Sequence, residues 1–415
     1  MPRRFVTLLT MLVLLLSGSP FAAAQGIDVT LVEVWGEAQP AERIRAGGAD
    51  RIGGLSWVDR DGLIVFGHDG RGFFNDVEET DDGFDPATGE HRGRFVYRLD
   101  ARTGERTWTQ RFSGGDERVS VSPDGRHVLV QFDETNTQDD AGNAVLARVL
   151  DARTGEVDRD ILHADVCRAV RRDEASRISS IAFGPRRGEA VVVFAETEED
   201  LRRAQRAEGG AIGLFDSYGT RAYRYHWQRR RRVGRPFKTD PEPTAFDLSP
   251  DGELLGYVAQ LLDVLCIYDA PAQRDRALAG RHQTGAEGMG ELAIDAPFYS
   301  GIQISNTHAV VARDAPNGHG VAQVFVINLT NGQVEARIET PGGHVVFDVD
   351  FDRERIAVTG SACHLALYDF AGNELYLEED ATQHRNLAIA LSPDGRRVAL
   401  GGWANTVHVY DIAGR

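Results

Sequence analysis

One motif recurs along this chain and limits what it can fold into: an alternating strand that closes on Asp or Asn and then turns. The closing positions are Asp100, Asp151, Asp216, Asp269, Asn328, Asp369 and Asp411. Two residues before them stand Arg98, Val149, Leu214, Ile267, Val326, Leu367 and Val409. Four before stand Val96, Ala147, Ile212, Leu265, Val324, Leu365 and Val407. Six of the first set and all seven of the second are apolar, which at a spacing of two marks a strand face packed on a neighbouring sheet. A turn Gly follows each closing residue except Asp269: Gly104, Gly155, Gly219, Gly332, Gly372 and Gly414.

A second tag, Ser-Pro-Asp-Gly, begins at Ser122, Ser249 and Ser392. Its Pro presets a turn and its Gly accepts positive φ, so an incoming strand reverses into an apolar one such as Val128–Val130 or Val398–Leu400. Strand, tight turn, strand, loop, closing strand, turn, strand is one four-stranded antiparallel blade. The expected fold is therefore all-β: a seven-bladed β-propeller of four-stranded antiparallel blades. Successive closing residues are 51, 65, 53, 59, 41 and 42 apart. The shortest match a bare propeller repeat of about 40–45 residues. The longer ones predict inserted loops at residues 74–93, 196–211 and 313–320. The last unit, Leu387 to Arg415, stops after its third strand. The alternating segment Ile27 to Trp35 is expected to supply the fourth and remove the open edge.

The Ser-Pro-Asp-Gly turns and the closures Phe215-Asp216, Tyr268-Asp269, Tyr368-Asp369 and Tyr410-Asp411 resemble tryptophan–aspartate (WD) repeats. Gly343-His344 precedes Tyr368-Asp369 as that family's Gly-His pair does. The resemblance covers nearly the whole chain after residue 24 and implies the fold, not an activity, since propellers host many functions. Leu99-Asp-Ala-Arg-Thr-Gly-Glu-Arg-Thr-Trp108 is similar to the tryptophan-docking repeat of pyrroloquinoline-quinone-type propellers. That family includes quinoprotein dehydrogenases and a non-enzymatic outer-membrane assembly factor. It implies the rival reading, a cofactor- or metal-binding enzyme that uses the central channel.

Arg3 and Arg4, an apolar run from Phe5 to Leu16 and Ala22-Ala23-Ala24 have the order of a secretory signal. About a dozen apolar residues fall short of the roughly 20 needed to span a bilayer. Residues 1–24 are thus expected to be removed, leaving 25–415 as one periplasmic or secreted domain. Losing Arg3 and Arg4 takes the formal net charge from −17 to −19, which disfavours nucleic acid as a partner. Cys167, Cys266 and Cys363 allow one disulfide at most and belong to no C-x-x-C pair.

No nucleophile elbow, phosphate-binding loop or H-E-x-x-H zinc helix occurs, so no catalytic, cofactor or metal residue is assigned. His68, His319, His344 and His364 fall near turns and are expected in turn or core roles. The acidic insertion from Asn75 to Asp85 reads as a solvated loop, with Ca²⁺ binding the alternative. The most distinctive surface candidate is the basic run Arg221 to Lys238, with Arg229, Arg230, Arg231 and Arg232 beside Trp227. On so acidic a chain this local inversion of sign suits an acidic partner or an anionic membrane surface. The expected function is a non-catalytic protein-binding scaffold.

Overall fold

A computed structural model shows seven four-stranded antiparallel sheets arranged as the blades of a ring. It describes residues 27–35, 51–68, 84–85, 90–91, 93–113, 119–132, 137–139, 141–172, 176–195, 221–239, 243, 245–259, 264–272, 274–279, 299–315, 320–382, 384–403 and 405–413. Residues 1–24, and most of the acidic insertion, lie outside these. Blades 1 to 6 are continuous in sequence: 51–113, 119–162, 178–238, 245–279, 299–341 and 345–378. Blade 7 takes three strands from 386–413 and its outermost from Asp28–Trp35, which pairs antiparallel with Val407–Ala413. The terminal strand exchange expected from the alternating Ile27–Trp35 segment is thus present.

The strands pair consecutively, and the first strands of several blades touch those of their neighbours around the centre. Between blades lie the apolar clusters. Blades 6 and 7 share Leu365, Leu367, Leu400 and Tyr410, while blades 7 and 1 share Val407, Val409, Ile52 and Leu63. Second and third strands are almost wholly buried, as in Glu189–Phe194, because they are covered on both faces.

An innermost strand is a sheet edge, and its N–H groups need acceptors. The preceding blade supplies them from side chains. Ser120 Oγ accepts from the Phe183 N–H (3.0 Å), and Gln131 Oε1 from Ile181 (2.9 Å). Asp247 accepts from Ile304 (2.9 Å), Gln303 from Val349 (3.1 Å) and Asp348 from Leu391 (2.7 Å). Between blades 7 and 1 the polarity reverses, with Trp57 Nε1 donating to the Ala390 carbonyl at 3.0 Å. Burial in the disc pushes the Asp247 carboxyl up to about 6, against its two accepted hydrogen bonds and with a smaller push from Asp348.

The repeated turns do what their sequences require. In the first tag Ser122 Oγ donates to Asp124 Oδ1 (2.8 Å) and accepts from the His127 N–H (2.9 Å), with Gly125 at φ 65°. At the closing turns Asp100 and Asp151 each accept two backbone N–H groups from the residues two and three ahead.

Blade 3 departs from expectation. Its third strand is Arg221–His226, paired to Glu189–Phe194, and not a strand ending at Asp216, which lies outside the described residues. Pairing of Glu189 with His226 puts His226 where other blades place the closing carboxylate, as His127 pairs with Asp151 and Arg397 with Asp411. The inserted segment of this blade is therefore 196–220, between its second and third strands. Among the described residues one helix, α1 (His163–Val170), joins blades 2 and 3; it buries Val166, Cys167 and Val170 and ends at Arg171 in the left-handed region. Cys167 and Cys266 are buried, and Cys363 is half-buried.

Candidate functional site

The basic run forms the outer half of blade 3. Arg221–His226 leads into the turn Trp227–Arg230, and Arg231–Lys238 returns as the blade's outermost strand. A bulge sets Gly234, Arg235 and Pro236 opposite Tyr223. Arginines, a proline and a bulge on an edge strand also prevent it from pairing with another sheet.

Arg229, Arg230, Arg231 and Arg232 are all exposed. Arg230 pairs with Asp165 of α1 at 2.9 Å, and Arg168 approaches the same carboxylate at 3.3 Å. Among the described residues, Arg229, Arg231 and Arg232 form no ion pair. Their charge is felt locally: the His226 imidazole is held below its usual range by burial first and then by Arg229 and Arg231. The structure does not expose Trp227 with them. That side chain is 2 % accessible and belongs to the core, where His127 packs edge-on to it at 5.3 Å and Phe183 lies at 6.4 Å. The indole fills the junction of blades 2 and 3, so sequence adjacency to the arginines gives it no surface role.

Trp227 instead couples the basic turn to a neighbouring recess. Its backbone N–H donates to the Gly188 carbonyl at 3.0 Å, tying the turn to the loop that bears Arg186 and Arg187. His127 lines a recess of about 530 Å³ together with Arg98, Arg126, Arg153, Arg187, Asp59 and Asp151. Asp59 is spent on Arg98 at 2.9 Å, and Asp151 on its own turn. Arg126, Arg153 and Arg187 are exposed; Arg187 lies 3.7 Å from Asp124, and Arg126 and Arg153 interact electrostatically with Asp124 and Asp151. The recess and the basic turn together make an arginine-rich surface across blades 1 to 3. No sequence window shows it, because its residues come from four separate turns.

Blades 1 and 7 each lay an outer-strand tryptophan on the closing turn of the next blade. Trp108 packs on Gly155 and donates from Nε1 to the Ala152 carbonyl at 3.1 Å; Trp35 packs on Gly104. In blade 2 the position of Trp108 is taken by Arg159, which pairs with Val149 as Trp108 does with Arg98. Arg159 Nη1 donates to the Gln228 carbonyl of the basic turn at 3.2 Å. With no indole to accommodate, the turn position held by Gly155 in blade 2 is held in blade 3 by Arg230, at φ 48°.

Other candidates are dispersed. His344 Nδ1 lies 2.7 Å from Asp314 Oδ2, and His364 is buried among core residues. The His68 side chain and His319 lie outside the described residues, as does the Asn75–Asp82 part of the acidic insertion. Among the described residues no three His, Cys, Asp or Glu side chains group as metal ligands, and no helix is long and apolar enough to cross a membrane. No family model matches this chain, and no curated protein matches it.

Proposed function

We propose that this chain is an exported, non-catalytic propeller that acts as a protein-binding scaffold and presents the arginine surface of blades 1 to 3 to an acidic segment of its partner. The observation that carries the reading is the set Arg229, Arg231 and Arg232, exposed and without ion pairs among the described residues, on a chain of net charge −17. Exposed guanidiniums recognise carboxylates bidentately and steer an acidic segment at long range. The 530 Å³ recess beside them extends the same chemistry inward. The aromatic–Asp closures and Ser-Pro-Asp-Gly turns support kinship with WD-type repeats; the two tryptophan–glycine docks support kinship with quinoprotein-type repeats.

A labelled ten-residue glutamate-rich peptide tests the surface. The protein should bind it saturably at low salt and weaken as salt rises, while a lysine-rich peptide follows a different dependence on these residues. The triple variant Arg229→Gln, Arg231→Gln, Arg232→Gln should bind about tenfold more weakly or worse with unchanged melting. Equal binding by the variant would remove this surface from the account.

A further inference from the structure

On the far side of the ring from blade 3, at the junction of blades 6 and 7, lies a pocket of opposite character. Its volume is about 360 Å³, within the range of small-molecule sites. Leu31 and Val34 of the N-terminal strand and the Trp403 indole line it, together with the carboxylates of Glu378 and Asp380 and the His408 ring. Leu31 and Val34 are 42 % and 45 % accessible, so this apolar wall is open to whatever enters.

The carboxylates decide the chemistry. Glu378 is half-buried, and its carboxylate accepts a hydrogen bond from the Tyr376 hydroxyl at 2.7 Å. Burial and then Glu378 push the Tyr376 hydroxyl up to about 12, and burial and Glu378 also raise Tyr410. Asp380 is exposed at the mouth. Among the described residues neither carboxylate has an ion-pair partner. The guanidiniums of Arg51 and Arg385 are instead stacked near the Trp403 ring, at 4.3 Å and 5.9 Å from its centroid, and neither lines the pocket. His408 is held below its usual range by burial, against Glu378, which disfavours its charged form; His384 also lines the pocket. A half-buried carboxylate without a counter-charge is costly, and a cation placed against it recovers that cost.

We propose that this pocket binds a small organic cation: an ammonium or guanidinium head against Glu378 and Asp380, with an apolar stem along Leu31, Val34 and Trp403. The site is independent of the arginine surface, which lies on other blades.

Titration with n-butylammonium, followed through the ¹⁵N indole signals of the protein's five tryptophans, tests it. Trp403→Phe assigns the reporter. The Trp403 signal should move saturably with n-butylammonium below about 10 mM, and n-butanol and butyrate should leave it in place. Asp380→Asn, at an exposed position, should weaken binding about threefold, and Glu378→Gln with Asp380→Asn about tenfold or more. The other four indole signals report that each variant is folded. No movement with the cation, equal movement with all three probes, or an unchanged dissociation constant in Asp380→Asn and the double variant would each overturn the proposal.

Discussion

Gly155 and Arg230 hold the same backbone position in successive blades, and what the preceding blade lays on them explains the difference. A Cβ on Gly155 would stand 2.6 Å from the Trp108 ring, at a φ of 73° that already disfavours side chains. Gly155→Ala should therefore cost about 1–3 kcal/mol in denaturant unfolding, with a smaller penalty when Trp108 is also truncated. The Trp108 dock was legible because its repeat is written out in sequence. The Trp35 dock was not, because Trp35 precedes the first repeat and meets Gly104 only by completing blade 7. Asp247, on the innermost strand of blade 4, carries the other residue-scale prediction. Its carboxyl, ordinarily at 3.8, is raised to about 6, so the fold favours the neutral form. The stability this gives is complete below pH 3.8 and is lost as pH rises through about 6. Carboxyl ¹³C NMR should find its midpoint near 6. Between pH 4 and 7 the wild type should lose about 2 kcal/mol relative to Asp247→Asn. A midpoint near 4 and a flat difference would show that the fold does not desolvate this group.

At the scale of elements, six of seven closing strands stand where their Asp or Asn marks them, and the seventh does not. The period-two pattern around Ile212 and Leu214 mimicked a third strand, while the true one, Arg221–His226, carries Arg224 and His226 at the diagnostic positions. Arg224 reads as polar, yet its guanidinium lies against Gly234 and Gly252, whose missing Cβ atoms leave it room. The basic character of the outer half of blade 3 was plain in sequence, but the burial of Trp227 was not, since that depends on His127 and Phe183 from elsewhere. Helix α1 carried no capping signal; Leu162 at its N-terminus makes no side-chain cap. The N-terminal strand has a consequence that can be measured. Deleting residues 27–35 exposes the edge of Val407–Ala413 and uncovers Tyr410 and Ile412 of the interblade cluster. The truncated chain should melt about 5 °C lower or more and associate with rising concentration. Unchanged melting and a monomeric profile would mean that the ring is closed without it.

For the whole molecule, the N-terminal strand and the last three strands close the ring in one blade, and blades 1 to 3 carry the arginine surface. The fold was legible because six of the seven blades report the same strand pattern. The surface was legible only as the run Arg229–Arg232, because Arg98, Arg126, Arg153 and Arg187 meet it only through the pairing of distant turns. The most direct measurement is capture of the full chain at native expression from the cells that produce it. Wild type and the Arg229→Gln, Arg231→Gln, Arg232→Gln variant are compared by quantitative mass spectrometry. The account predicts one protein near equimolar with the wild type and depleted about tenfold or more with the variant. Repeated captures with no stoichiometric protein, or equal recovery by both forms, would contradict it.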